Sequence, residues 1–135
     1  MVFILVFTIT IILVCIDFFR QRNFNIPEGY VWVIRLGFVL FIIFSLEGEI
    51  MLSLFQHTIG ANDGMPGLPL LNWSNHYGDL RIVHFLGIHS LQLLALAGYY
   101  LARSKRKIII TAVIYFAVIM FVFVQAWQGI PLLPY

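Results

Sequence analysis

The chain has 135 residues, of which 61% are hydrophobic and only 10% are charged, and its formal net charge is +2. Soluble domains carry about 25% charged residues, so this composition excludes an ordinary soluble protein and indicates an integral membrane protein. The basic cluster at residues 103–107 is interpreted as a topology signal rather than a surface for lipid head groups or nucleic acid, and the length predicts one domain covering residues 1–135.

Four apolar runs predict four transmembrane helices, at about residues 2–19, 31–56, 81–102 and 108–128. Each run approaches the ~20 residues that a helix needs to cross the hydrocarbon core of a bilayer. No alternating pattern suggests a β-barrel, so the predicted fold is an all-α polytopic membrane protein. The first run lacks a basic region before it and leads directly into Asp17 and Arg20, which favours a retained helix over a signal peptide.

The distribution of basic residues predicts the topology. The first connection is flanked by Arg20, Arg22 and Arg35, and the third contains Arg103, Lys105, Arg106 and Lys107. Basic connections face the cytoplasm, so we expect both termini and the 57–80 loop on the outer side, in a bacterial cytoplasmic membrane. The single cysteine, Cys15, excludes an intrachain disulfide.

The loop at residues 57–80 is predicted to fold as a cap over the helix ends. The dipeptides Asp63-Gly64 and Pro66-Gly67 specify turns, and apolar residues such as Leu68 and Trp73 favour packing over exposure. At the end of the loop, we expect Asp79 to cap the next helix or to pair with Arg81. The alternative for Arg81 is recognition of an anion.

Glu49 is the strongest single candidate for a functional residue. It lies on a polar stripe of the second helix with Ser45, Ser53 and Gln56. Glu47 points elsewhere, because two residues correspond to about 200° around a helix. An ionisable side chain within a membrane usually faces the protein interior or water, where it serves a site. The alternative for Glu49 is a hydrogen bond to Gln92 or a histidine that holds two helices together.

The histidines allow several kinds of site. His57 and His84 stand at similar depth and are candidates for the axial ligands of haem b. Glu49, His84 and His89 are candidates for a transition-metal site. However, His84 and His89 are separated by five positions along one helix, which places their side chains about 140° apart around its axis. Glu49 and His89 are also candidates for a catalytic acid/base pair that transfers protons. Glu47, Gln92 and Arg81 would support these sites, and hydrogen-bonded interfacial histidines are the structural alternative.

A string of short motifs resembles those of a known group of proteins. Its members are His57-Thr58-Ile59-Gly60, Asp63-Gly64, Pro66-Gly67-Leu68-Pro69, Trp73-Ser74, Gly78-Asp79-Leu80-Arg81, His84-Phe85, Gly87, His89 and Gln92. This pattern is similar to that of small, uncharacterised four-helix bacterial membrane proteins. The resemblance implies no catalytic role for any of these residues.

These observations predict a polar site in the outer half of the bundle. The leading hypothesis is binding of a metal or haem, or a redox or proton-transfer role. The alternatives are a non-catalytic small subunit or assembly factor of a larger membrane complex, and a lipid-modifying enzyme with a carboxylate–histidine proton relay. The expected partners are the lipid bilayer and a membrane protein or a second copy of the chain.

Overall fold

The computed structural model describes residues 2–101 and 104–133 and is predominantly helical. Its helices are α1 (Val2–Arg20), α2 (Glu28–Leu54), α3 (Leu80–Ile88), α4 (Ser90–Leu101) and α5 (Lys105–Trp127). Helices α1, α2 and α5 are each long and apolar enough to cross a membrane. The chain is therefore a membrane-embedded helical protein. Residue 102, Arg103, the N-terminal Met1 and the C-terminal Pro134 and Tyr135 lie outside the described residues.

The central helix is α2, which packs against α1, α3, α4 and α5. It begins at Glu28, directly after Pro27, and ends at Leu54 because Phe55 adopts a left-handed conformation. Close approach to α3 depends on Gly87, since a Cβ atom there would collide with Phe44. Small residues at such crossings let helix backbones pack closely in a membrane, where dispersion contacts replace the hydrophobic effect.

The prediction of one continuous helix over 81–102 was wrong. The segment is two helices, α3 and α4, that meet at a bend of 51°. At the bend, Nδ1 of His89 lies 2.7 Å from the carbonyl oxygen of Phe85, which also accepts from the backbone N–H of His89. A side chain that enters the backbone hydrogen-bond ladder is a known cause of helix kinks. Together the two helices are long and apolar enough to form one bent membrane span, which would be the fourth span of the chain.

The segment between α2 and α3 is folded. Strands β1 (Thr58–Ile59) and β2 (Gly78–Asp79) pair in antiparallel register, and an isolated bridge joins Gly67 to Ser74. Strand β2 lies against the end of α5, since a Cβ atom on Gly78 would collide with the carbonyl oxygen of Ala126. We call the end of the bundle that carries this segment the loop end.

Helix α1 is the most peripheral part of the fold. Within Val2–Arg20, which is described in full, only the side chain of Cys15 is buried. At the end opposite the loop, Nη2 of Arg35 lies 3.0–3.4 Å from the carbonyl oxygens of Phe18, Phe19 and Gln21. Arg35 therefore supplies donors to the last carbonyl groups of α1, which a helix leaves unsatisfied.

Candidate functional site

A cavity of about 460 Å³ opens at the loop end, and we call it the loop-end cavity. Its titratable lining residues are Glu49, His57, Asp63, Arg81 and His84. The apolar part of its wall includes Ile4 from α1 and Met51, Leu52 and Phe55 from the end of α2. The cavity thus joins groups from three helices and the folded loop, and it combines acid, base and hydrocarbon surface.

The structure buries Glu47 and exposes Glu49, which reverses the order of candidates expected from the sequence. Glu47 is 6% exposed, and among residues 2–101 and 104–133 neither of its carboxylate oxygens has a hydrogen-bond partner. Its Oε2 lies 3.4 Å from Nδ1 of His84. Glu49 lines the loop-end cavity with its side chain exposed. Ser45, Glu49 and Gln56 of the polar stripe line the cavity, whereas Glu47 has its partner on another helix.

The hydrogen bonds of His84 determine its tautomer. Nδ1 lies 3.0 Å from the carbonyl oxygen of Phe44, which can only accept, so the hydrogen bond requires a proton on Nδ1. The same nitrogen faces Glu47. Nε2 is then the nitrogen that can gain or lose a proton. This arrangement, a carboxylate behind Nδ1 and an available Nε2, suits an imidazole that acts as a general acid or base.

Gly48 belongs to the site, and sequence reasoning missed it. A Cβ atom on Gly48 would lie 2.6 Å from Cε1 and 3.0 Å from Nδ1 of His84, so the ring occupies the space that a side chain would take. Glycine within a helix is unfavourable by about 1 kcal/mol relative to alanine. A helical glycine between two carboxylates, Glu47 and Glu49, was the available signal for a close approach.

Asp63 fixes the wall that the loop contributes. Its carboxylate accepts from the backbone N–H groups of His57 and Thr58, the latter at 2.9 Å. Nδ1 of His57 lies 3.3 Å from Oδ1 of Asp63. Partial desolvation raises the pKa of Asp63, but the hydrogen bonds from Thr58 and His57 and the nearby imidazole outweigh it, so the net pKa lies below its ordinary value. Asp63 is therefore a charged anchor of the loop near neutral pH.

The predictions that Asp79 caps α3 and pairs with Arg81 are both confirmed. Its side chain, which is 0% exposed, accepts from the backbone N–H of Arg81 at 3.0 Å and from that of Ser74 at 2.9 Å. Nε and Nη2 of Arg81 complete a two-point ion pair with it. Among residues 2–101 and 104–133, these bonds leave Nη1 of Arg81 unused. Arg81 also donates from Nη2 to the carbonyl oxygen of Asn72, and its side chain lines the cavity.

A second cavity of about 310 Å³ adjoins the first, and we call it the α1 cavity. Ile4, Ser45 and His84 line both cavities. The remaining lining residues of the α1 cavity are Phe7, Thr8, Phe41, Ile88, His89 and Gln92. The ring of His84 therefore stands at the junction between a cavity lined by charged side chains and a cavity whose lining, among the described residues, includes no aspartate, glutamate, lysine or arginine.

The residues expected to bind a metal are not assembled. Across residues 2–101 and 104–133, no group of three histidine, cysteine, aspartate or glutamate side chains is placed to hold a metal ion. His89 lines the α1 cavity, whereas Glu49 lines the loop-end cavity. Glu49 and His89, the predicted acid/base pair, therefore line different cavities, and Gln92 lines the same cavity as His89. His57 and His84 do line one cavity, so a haem between them stays a prediction that an absorbance spectrum tests.

Comparisons with known proteins identify no relative. No family model, curated protein or solved structure matches the chain. The resemblance of the 57–92 motifs to small four-helix bacterial membrane proteins stays a prediction. Any function must therefore be argued from the site.

Proposed function

We propose that this membrane protein has a proton-transfer site, in which His84 gives a proton to, or takes one from, a molecule bound in the loop-end cavity. The observation that carries the proposal is the position of Glu47. Among residues 2–101 and 104–133, the buried carboxylate of Glu47 has no hydrogen-bond partner, and it stands 3.4 Å from the Nδ1 atom of an imidazole that lines the cavity. An ionisable group within a membrane is costly and usually marks a proton pathway or a functional pair.

The two residues would have different roles. Nε2 of His84 would be the exchanging atom, because Nδ1 is held by the carbonyl oxygen of Phe44. Glu47 would be a positioning residue, since its negative charge stabilises the imidazolium form and fixes the ring tautomer. A carboxylate that orients a histidine in this way is a common arrangement in acid–base catalysis. Arg81, through Nη1, would favour an anionic or strongly polar group on the bound molecule.

Glu49 would connect this pair to water. It lines the same cavity as His84, and its side chain is exposed. A hydrated carboxylate and an imidazole on one cavity form a short relay from bulk water to the bound molecule. Glu49 would thus have a role in the site, although Gln92, one of its expected partners, lines the α1 cavity instead.

Nitrogen NMR of histidine-labelled protein in lipid nanodiscs tests the proposal. Signals of His84 are identified by their loss in His84→Gln. We expect the neutral ring to carry its proton on Nδ1 and Nε2 to titrate between about pH 5 and pH 8, the range in which histidine changes charge. Glu47→Gln should move the midpoint of this titration, whereas Glu28→Gln, a control at an exposed glutamate at the other end of the same helix, should leave it nearly unchanged.

Two outcomes would overturn the proposal. One is a His84 ring that keeps a single protonation state over this range. The other is a titration that is the same in the wild-type protein and in Glu47→Gln. The Glu47→Gln protein must be monodisperse and helical for the comparison, and glutamine preserves the volume of the side chain.

A further inference from the structure

We propose that the paired cavities hold a membrane phospholipid, with its head group in the loop-end cavity and one acyl chain in the α1 cavity. The lipid would enter sideways from the bilayer, past α1. This inference deepens the proposed function by naming the class of molecule that His84 meets, and its binding step does not depend on proton transfer.

The shape and chemistry of the two cavities support a molecule with a polar end and a hydrocarbon tail. The loop-end cavity presents Arg81, His57 and Glu49, whereas Phe7, Phe41 and Ile88 provide hydrocarbon surface in the α1 cavity. Each volume falls within the about 300–1,000 Å³ typical of ligand sites. The cavities share Ile4, Ser45 and His84 and therefore adjoin, and the proposed lipid would extend from one into the other. The two cavities differ in charge, because carboxylate and guanidinium groups line the loop-end cavity and, among the described residues, none lines the α1 cavity.

The position of the α1 cavity explains why its occupant would be a bilayer lipid. Its walls come from the membrane-spanning helices α1 and α2 and from the α3–α4 segment. Protein interiors contain few voids larger than a water molecule. A cavity of about 310 Å³ beside the hydrocarbon core, lined in part by Phe7, Phe41 and Ile88, would therefore be filled by a lipid chain.

Helix α1 has the attachment expected of a movable wall. Arg35 holds its far end through three backbone carbonyl groups and lies over the rings of Phe19 and Trp32. At the loop end, Phe3 is 89% exposed and Ile4 is 52% exposed. A helix that is fixed at one end and lightly packed at the other can pivot. Pivoting would open the α1 cavity to the bilayer at the contact between Phe7 and Phe41, whose rings are 6.3 Å apart.

The position of His84 at the junction of the two cavities indicates which part of the lipid it would contact. His84 lines both cavities, so its ring would lie beside the bonds that join the head group to the acyl chain. Nη1 of Arg81 would meet the phosphate group, since guanidinium groups recognise phosphate well. If the proposed function holds, the imidazolium form of His84 would donate a hydrogen bond from Nε2 to an ester or phosphate oxygen of this linkage region.

Photo-crosslinking in nanodiscs tests where the chain of a lipid lies. The probe is a phosphatidylethanolamine with a diazirine at the end of one acyl chain, and labelled peptides are identified by mass spectrometry. We expect labelling of residues around Phe41 and Ile88. Thr8→Trp would fill the α1 cavity and lower that labelling by about tenfold, because it removes the binding-competent state. Thr10→Trp, an exposed position on the same helix, should leave it unchanged.

Further variants separate the possible outcomes. Ser45→Leu fills the junction between the two cavities from the α2 side and should lower the labelling as Thr8→Trp does. It therefore provides a second test if the Thr8→Trp protein does not fold. Glu47→Gln should keep full labelling even where it alters the titration of His84, so lipid binding and proton transfer fail separately. Equal labelling in Thr8→Trp, Ser45→Leu and Thr10→Trp, or labelling confined to the exposed face of α5, would show that the proposal is wrong.

Discussion

The imidazole ring of His84 lies against Gly48, at a distance that a side chain on Gly48 would not permit. A Cβ atom there would be 2.6 Å from Cε1 of the ring. The glycine therefore places the ring between Glu47 and the two cavities. Position 48 controls the geometry of the site although its residue carries no functional group.

Gly48→Ala should move the His84 ring and destabilise the protein. Alanine gains about 1 kcal/mol of helix propensity, but overpacking typically costs about 1–3 kcal/mol, so we expect a net loss of stability. The His84 signals in nitrogen NMR should shift, since Nδ1 leaves the carbonyl oxygen of Phe44. His84→Ala vacates the space, so Gly48→Ala in that background should be neutral or stabilising. A penalty that persists without the ring would contradict this explanation.

Glu47 and His84 should behave as one energetic unit. Removing one member of a buried pair leaves the other uncompensated, so we expect Glu47→Gln and His84→Gln each to lower the free energy of unfolding by about 1–3 kcal/mol. The double variant should cost clearly less than the sum of the two, because contacting residues are not additive. Reversible unfolding in mixed micelles measures these values. Glu49→Gln, an exposed control, should stay within about 0.5 kcal/mol of the wild type, and strict additivity of the pair would contradict the coupling.

The difference between Glu47 and Glu49 indicates how far sequence reasoning reaches. Hydropathy identified the apolar segments because membrane insertion depends on local composition. The cap formed by Asp79 was predictable because it involves residues within one helical turn. Which glutamate is buried depends instead on how α2 rotates against α3, and Phe44 and Gly87 fix that rotation through a close contact.

The bend at His89 was unpredictable for a related reason. Residues 80–101 have no proline, and the segment reads as one apolar helix. The bend coincides with a hydrogen bond between the His89 ring and the carbonyl oxygen of Phe85, and with the buried hydroxyl of Ser90, which donates to the carbonyl oxygen of Gly37 on α2. The latter contact links residues that are far apart in the chain, so no local pattern encodes it.

Asp63 should make the order of the loop dependent on pH. Its pKa in the folded protein lies below the ordinary value of 3.8 because Thr58 and His57 donate to the carboxylate, in spite of partial desolvation. A lowered carboxyl pKa adds stability that is fully present above the unfolded value and is lost as the pH falls through the folded value. We therefore expect deuterium exchange at Thr58 to accelerate below about pH 4 relative to intrinsic rates.

Asp63→Asn tests the assignment of this pH dependence. The amide cannot become an anion, so exchange at Thr58 should already be fast at neutral pH and should change little on acidification beyond its intrinsic rate. Asp17→Asn is the matched control, since Asp17 is an exposed carboxylate near the other end of the bundle. An acid-dependent change that persists in Asp63→Asn would assign the effect to another group.

Arg35 should hold the far end of α1 against α2. Its guanidinium group donates to the carbonyl oxygens of Phe18, Phe19 and Gln21, and such charged hydrogen bonds contribute about 1.5–3 kcal/mol each at most. Arg35→Met should accelerate deuterium exchange in the last two turns of α1. Arg20→Met changes an exposed arginine on α1 itself and should have little effect. Equal exchange in the two variants would show that packing alone, through Phe18 and Phe38, retains α1.

The orientation in the membrane can be tested at the two ends of the bundle. Basic residues near Arg20 and Lys105 predict that the 21–27 turn faces the cytoplasm and that the loop between α2 and α3 faces outwards. In a Cys15→Ala background, Asn62→Cys should react with a membrane-impermeant maleimide in intact cells, whereas Asn25→Cys should react only after permeabilisation. Both positions are exposed, so a difference in labelling reports sidedness rather than burial. The reverse pattern would put the loop-end cavity, and the proton exchange proposed for His84, on the cytoplasmic side. Labelling of both residues in intact cells would mean that the helices do not separate the two ends by a membrane.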